Sequence, residues 1–152
     1  MIALIQRVSK AEVVVDGATI ASIGPGLCAL IGVAKGDGPA EAARLADKLL
    51  GYRVFADAAG RMNRSVRDVA GSVLLVPQFT LAADTQSGLR PSFSSAAAPE
   101  DAVAMFERLV EHVRASAVTA GVGRFGADMK VTLTNDGPVT FWLEVPPRAA
   151  SA

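Results

Sequence analysis

Two strand-like runs, Met129-Lys130-Val131-Thr132-Leu133 and Val139-Thr140-Phe141-Trp142-Leu143, flank the segment Asn135-Asp136-Gly137-Pro138. Both runs are rich in β-branched and apolar residues, so a hairpin is expected, with Asp136-Gly137 as its two-residue turn. Pro138 restricts that plan, because it carries no N–H and cannot join a central ladder. A Gly-Pro bond also reaches the cis form at about 0.5–1 kcal/mol above trans. A cis bond would aim two backbone carbonyls in nearly the same direction, a rigid polar device made without any side chain. For an isolated Gly-Pro, the ordinary reading is a plain turn.

The rest of the chain is that of a globular protein. Its 152 residues suit one domain, able to bury about two-thirds of its unfolded surface. Half the residues are apolar and a fifth are charged, with a formal net charge of zero. That balance excludes a strong whole-molecule field for capturing nucleic acid, although it leaves room for a local basic patch. The single Cys28 lies in the apolar run Gly26-Leu27-Cys28-Ala29-Leu30-Ile31-Gly32-Val33. One cysteine makes no internal disulfide and fits a reducing compartment, and its place in a buried strand favours a structural role. The start, Met1-Ile2-Ala3-Leu4-Ile5-Gln6-Arg7, reads as a first strand and not as a signal peptide. No apolar segment approaches the ~20 residues that span a bilayer. A cytoplasmic protein without a membrane partner is expected.

Strands are expected over residues 2–8, 12–16, 18–23 and 26–33, with Asp16-Gly17 as a hairpin turn. A helix follows over 39–51, with Pro39 in its first turn and Asp37 or Gly38 as cap. Ala42, Leu45, Ala46 and Leu49 recur at helical spacing. Residues 52–55 return to strand character, and residues 72–76 form a central strand ended by Pro77. A loop covers 84–95. A second helix runs from Pro99 to about Ser116, with a core stripe of Ala102, Phe106, Leu109, Val110 and Val113. Residues 1–145 form the domain and 146–152 a flexible tail. Strands outnumber helices without alternating with them, which defines an α+β fold: a single domain with a mixed or antiparallel sheet, or a barrel-like core, and two main helices.

Conventional catalytic groups are scarce. His112, the only histidine, falls on the polar flank of the second helix, which disfavours a Ser-His-Asp, Cys-His or histidine-rich zinc site. There is no GxGxxG after a strand, no P-loop and no HExxH. Neither a metal nor a cofactor is expected. The aspartates 57, 84, 128 and 136 are scattered among turns and strand ends. What remains is Pro77-Gln78-Phe79-Thr80-Leu81 at the end of the central strand, where functional groups often gather. Gln78 and Thr80 are polar, and Phe79 offers a stacking face.

Taken together, Pro77-Gln78-Phe79-Thr80-Leu81, Arg90-Pro91-Ser92-Phe93 and Asn135-Asp136-Gly137-Pro138-Val139-Thr140 resemble the D-aminoacyl-tRNA deacylase family. So do Ala3-Leu4-Ile5-Gln6-Arg7-Val8, Tyr52-Arg53-Val54-Phe55, Met62-Asn63 and Gly123-Arg124-Phe125-Gly126-Ala127-Asp128-Met129. The resemblance covers residues 1–145. It implies a homodimeric enzyme that cuts the ester between a D-amino acid and the terminal adenosine of tRNA, with no DNA partner. By that likeness, Gly137 and Pro138 of one subunit form a cis pair in the other subunit's site, where their carbonyls reject an L side chain. Glycine has nothing to clash, so glycyl-tRNA mischarged on tRNA(Ala) is also expected to be hydrolysed.

The same resemblance implies roles for individual residues. Arg7 braces the Gly-Pro segment, with Asn135, Asp136 and Thr140 supporting it. Gln78, Phe79 and Thr80 form the catalytic pocket, with backbone N–H groups at Phe79 and Thr80 as oxyanion donors and the Thr80 hydroxyl as a positioning group. Phe125 and Met129 meet the 3′-adenosine. Arg53, Arg64, Arg67 and Lys130 are candidate phosphate contacts or plain surface charge. The family pentapeptide usually begins with Ser, whereas Pro77 stands there in this chain, removing a hydroxyl and an N–H. An animal branch with Pro at this place tolerates certain L-aminoacyl-tRNAs. Two alternatives therefore stay beside the strict D-selective reading: a relaxed editor of misacylated L-Ala or Gly-tRNA, and a non-enzymatic nucleic-acid-binding protein.

Overall fold

One strand, β1 (Ile2–Val15), replaces the two expected over 2–8 and 12–16 in this computed structural model, which describes residues 1–149. Two register slips, Gln6/Val8 and Val8/Lys10, explain how one strand carries two patterns. Each slip changes which side chains point inward. Ala3 and Ile5 accordingly join one core cluster, while Val8, Ala11, Val13 and Val15 join a second.

After β1 come β2 (Ala18–Ile23) and β3 (Gly26–Gly32), both antiparallel to it. Helix α1 (Pro39–Gly51) then leads to the small hairpin β4 (Phe55–Ala56) and β5 (Met62–Arg64). Strand β6 (Ser72–Pro77), helix α2 (Pro99–Ala115), β7 (Ala120–Val122) and β8 (Lys130–Glu144) complete the order. A short 3-10 helix, Phe79–Ala82, follows β6. Only Phe55 of the expected strand 52–55 is paired. The three residues before it are extended chain, in which Val54 is buried in the core.

β6 runs parallel to β3, and β7 runs parallel to β6. Both crossovers step the same way across the sheet, so a common hand places α1 and α2 on the same face. The helices pack on each other and bury Leu45, Leu49, Phe106, Leu109 and Val113. Each such large side chain contributes about 1.5–3 kcal/mol by leaving water. Gly38 caps α1, and the Glu41 carboxylate receives its amide at 2.9 Å. That bond holds the Glu41 pKa below the usual carboxylate range.

On β3 and β6, alternate residues serve the two clusters. Leu27, Ala29, Ile31, Val73 and Leu75 face the helices, whereas Cys28, Leu74 and Val76 face a second interior. Burial on both faces explains why these strands read as unbroken apolar runs. The second interior is enclosed because β2 and β7, the two ends of the sheet path, come together. A Cβ on Gly121 of β7 would lie 3.3 Å from Ala21 Cβ of β2, a tight contact that shows how closely the two strands approach. The result is a nearly closed mixed barrel with two helices outside, an α+β single domain as expected. Burial pushes the Cys28 thiol up to about 11, which keeps it protonated and inert.

At the N-terminal end of β1, the Met1 amine pairs with Asp37 at 2.8 Å, fully buried. At the other end of the chain, Val145 is buried and the Arg148 amide donates to Glu41. Residues 150–152 of the expected tail lie outside the described residues.

The expected hairpin at 129–143 is absent. β8 is one continuous strand paired along β1, with Val8 opposite Asn135 and Gln6 opposite Thr140. Residues 136–139 therefore face the single residue Arg7. The segment is a wide bulge and not a turn, because both flanking runs pair with the same long strand.

Candidate active site

Arg7, Asn135 and the bulge form one hydrogen-bonded unit. The Arg7 Nε–H donates to the Asp136 carbonyl at 2.9 Å, and Nη1–H donates to the Val54 carbonyl at 2.7 Å. Asn135 closes the neck from inside: its Nδ2–H reaches Thr140 Oγ1 at 2.8 Å, and its Oδ1 accepts the Val139 amide at 2.7 Å. Tyr52 and Phe141 add an aromatic contact, with ring centroids 5.7 Å apart. Asp136, Gly137 and Pro138 remain exposed at the tip, and the Gly137-Pro138 bond is cis. Gly137 has φ +143°, and a Cβ there would lie 2.7 Å from Val139 Cγ2 and 3.0 Å from Arg7 Nη2. Only glycine fits.

The second assembly lies where β6 ends. The Gln78 amide donates to the Ile31 carbonyl at 2.7 Å, which carries the chain off the sheet into the 3-10 turn. Within the turn, the Gln78 Nε2–H donates to Thr80 Oγ1. The Phe79 and Thr80 amides have no acceptor among the described residues. They stand free at the open end of the turn, beside the half-exposed ring of Phe79.

Phe79 separates two clefts. One, of about 240 Å³, is lined by Pro77, Phe79, Ala97, Pro99, Ala102, Phe125 and Gly126 and is mostly apolar. The other, of about 260 Å³, runs along Gln78, Phe79 and residues 126–129 to Val131. Phe125 shares the first cleft with Phe79, and Met129 shares the second with Gln78 and Phe79, while Thr80 lines neither. The loop bearing Phe125 and Met129 is pinned by the Gly123 amide on the Leu75 carbonyl and by the Arg124 amide on Met129 Sδ, at 2.8 and 3.4 Å. Phe93 packs on Phe79 with centroids 5.3 Å apart. It was absent from the sequence-derived site, although its motif Arg90-Pro91-Ser92-Phe93 was visible.

The bulge is not part of either cleft within one chain; no residue of 135–140 lines them. His112 pairs with Asp47 of α1 at 2.9 Å on the helical surface. Among the described residues, no group of three or more His, Cys, Asp or Glu could hold a metal ion. What the corner offers chemically is two unpaired amides, an amide–hydroxyl pair and aromatic faces. That equipment suits binding a planar base and stabilising a developing oxyanion.

The model of the D-Tyr-tRNA(Tyr) deacylase family matches residues 4–144. A D-aminoacyl-tRNA deacylase of Herminiimonas arsenicoxydans is 63% identical over 147 residues, 97% of this chain and 99% of the relative. That of Alkalilimnicola ehrlichii is 60% identical over 150 residues, 99% and 100% of the two chains. Among solved structures, one titled "c-Myc DNA Unwinding Element Binding Protein" is similar with a TM-score of 0.91 and 38% identity, covering 96% of this chain and 99% of that one. A probable eukaryotic D-amino acid tRNA deacylase shares the fold at a TM-score of 0.84 and 15% identity, covering 95% and 98%. The chain belongs to the D-aminoacyl-tRNA deacylase family and is an enzyme of that class, a carboxylic ester hydrolase.

Proposed function

We propose that this enzyme hydrolyses D-aminoacyl-tRNA to free D-amino acid and tRNA, and that a homodimer builds its site. The observation that carries this reading is the division of labour between a braced, exposed bulge and an open donor corner that do not meet within one chain. A second copy supplies the contact. β8 supports it: among the described residues its 15 residues pair only with β1 and leave one edge free, and they bury Leu143 alone, with Val131, Phe141 and Trp142 exposed. A long exposed strand of this kind calls for a cover.

In the assembled site, Phe125 and Met129 hold the terminal adenine, and Phe79 helps enclose the ester. Water attacks the ester carbonyl while the Phe79 and Thr80 amides receive the oxyanion. The acyl–oxygen bond then breaks, and the ribose 3′-oxygen leaves with a proton handled by the adjacent 2′-hydroxyl. Gln78 and Thr80 position these groups. Gly137 and Pro138 of the partner stand against the substrate Cα, where an L side chain meets backbone and a D side chain does not. A thousandfold preference needs about 4 kcal/mol, which a fixed backbone can supply and a mobile loop cannot. Glycyl-tRNA passes the filter. We place this activity in residues 1–145 and in the cytoplasm, with no cofactor and no DNA partner.

The test is hydrolysis of D-Tyr-tRNA against L-Tyr-tRNA; rapid release from the D-ester alone is expected, and equal release from both, or from neither, overturns the reading. A relaxed editor is the second reading, favoured by Pro77 at the buried end of β6 beside the donor corner. Release of L-alanine from mischarged L-Ala-tRNA at the rate of the D-ester would establish it.

A further inference from the structure

Four of the 15 basic residues, Arg53, Arg61, Arg64 and Arg67, fall within the β4–β5 hairpin and its flanks, and all four are exposed. The same stretch holds two of the 15 acidic residues, Asp57 and Asp68, so its formal charge is +4 − 2 = +2 in a chain of net zero. Those carboxylates are engaged elsewhere. Asp57 accepts the Ala59 and Arg61 amides and Asn63 Nδ2 at 2.9–3.0 Å. Asp68 accepts the Ser65 amide at 2.8 Å. These bonds, with smaller contributions from the nearby charges of Arg64 and, for Asp68, Arg53, hold both pKa values below the usual range, so both stay charged and serve as staples of the backbone. No arginine of the four lies within ion-pair distance of a carboxylate among the described residues. Among the described residues, only Arg64 of the four has a protein acceptor for its guanidinium, the Asp68 carbonyl. The hairpin is thus rigid in its frame, and the guanidinium groups of Arg53, Arg61 and Arg67 have neither a hydrogen-bond nor an ion-pair partner among the described residues, with the half-exposed Met62 beside them.

Its position adds the second observation. Arg7 bonds Val54 at the root of this hairpin with one nitrogen and Asp136 in the bulge with another, and Tyr52–Phe141 ties the same two segments again. The root of the hairpin that carries the cluster is therefore tied to the Gly137-Pro138 bulge. We propose that it is the docking surface for the phosphodiester backbone of the tRNA acceptor arm. The inference rests on the function proposed above: with the bulge over the aminoacyl ester in the partner's site, the strand leading away from the ester runs past these arginines. One subunit then reads the terminal adenosine while the other holds the backbone. Guanidinium groups suit phosphate oxygens through their fork of donors.

The test is the variant R53Q/R61Q/R67Q, which spares Arg64 and its backbone bond. Activity on full-length D-Tyr-tRNA and on 3′-(D-tyrosyl)adenosine, which carries no phosphate, is compared across salt concentrations. Each lost phosphate contact should lower kcat/KM on the tRNA roughly fivefold near 0.1 M salt and flatten the log–log salt slope by about 0.7–0.9. Cleavage of the adenosine ester should not change. An unaltered salt slope, or an equal loss on both substrates, overturns the proposal. Binding of deacylated tRNA, followed by fluorescence anisotropy over the same salt range, must show the same loss of slope. That measurement decides the docking surface even if the wild type cleaves neither ester, a result that would sink the functional reading instead.

Discussion

The bulge at 135–140 and the corner at 78–80 are built on opposite principles. In the bulge the neck is braced: Asn135 bonds both sides of it, and Arg7 holds the Asp136 carbonyl. At the corner the Phe79 and Thr80 amides are unused, and one side-chain bond, Gln78 to Thr80, shapes the turn. A group that must refuse a substrate by collision has to resist displacement, so its surroundings over-determine it. A group that must stabilise charge arising during reaction has to keep its donors open until then. On the function proposed above, the difference teaches that the rigidity and the unsatisfied capacity one site needs are more easily supplied by separate regions.

Changes that break the rigid partner should act most strongly. Gly137→Ala puts a Cβ within 2.7 Å of Val139 Cγ2 at φ +143°, and the D-over-L ratio of kcat/KM should fall more than about a hundredfold, some 2.7 kcal/mol. An unchanged ratio would separate the bulge from chirality altogether. Arg7→Ala removes a charged donor from two carbonyls, for about 2 kcal/mol, and should lower the same ratio roughly thirtyfold. Arg7→Lys should not restore it, because an ammonium lacks the fork that spans Asp136 and Val54; full rescue by lysine would show that charge alone matters.

At the open corner, effects should be smaller. Phe125→Ala should raise KM for the tRNA about tenfold, the value of one stacked base, with kcat nearly intact. Thr80→Val keeps the shape while removing the acceptor of Gln78; a loss of only a few-fold in kcat is expected for a positioning hydroxyl. A drop beyond about a thousandfold would make that hydroxyl a nucleophile and overturn the donor-only corner.

The smallest effect concerns stability and tests whether the frame around both regions is held by charge. Glu41, Asp57 and Asp68 all have folded pKa values lowered from 4.5, 3.8 and 3.8, chiefly by hydrogen bonds from the Gly38 amide, Asn63 and the Ser65 amide respectively. As pH falls, the unfolded chain takes up these protons first. Their contribution is therefore complete above the unfolded values and lost as pH drops through the folded ones. The melting temperature should decline below about pH 5, and Glu41→Gln should make that decline shallower. Identical acid profiles for the two proteins would remove Glu41 from the account.

Periodicity, with Pro39 and Pro99 marking the first turns, located both helices: α1 matches the expected 39–51, and α2 ends one residue short of Ser116. The pentapeptide at the end of β6 and the Asn135–Thr140 motif are local strings, but their roles, and that of Arg7, were legible only through the resemblance to the family. The misread parts share a cause. Residues 129–143 look like a hairpin, and 2–16 like two strands, because a local pattern cannot reveal that each run pairs with the other over its whole length. Phe93 was visible as a residue but not as a partner of Phe79, which lies 14 positions away in the chain.

The chain's own chemistry thus settled which residue types were available: no histidine placed for catalysis, a glycine before a proline, and a polar corner after an apolar strand. Tertiary structure alone decided that the glycine and proline sit in a bulge opposite Arg7, with the Val54 carbonyl as a second anchor for the same side chain. The reason is the pairing of β1 with β8, two strands separated by more than a hundred residues. A turn needs only its own four residues, whereas a bulge exists only against the strand that it bulges from.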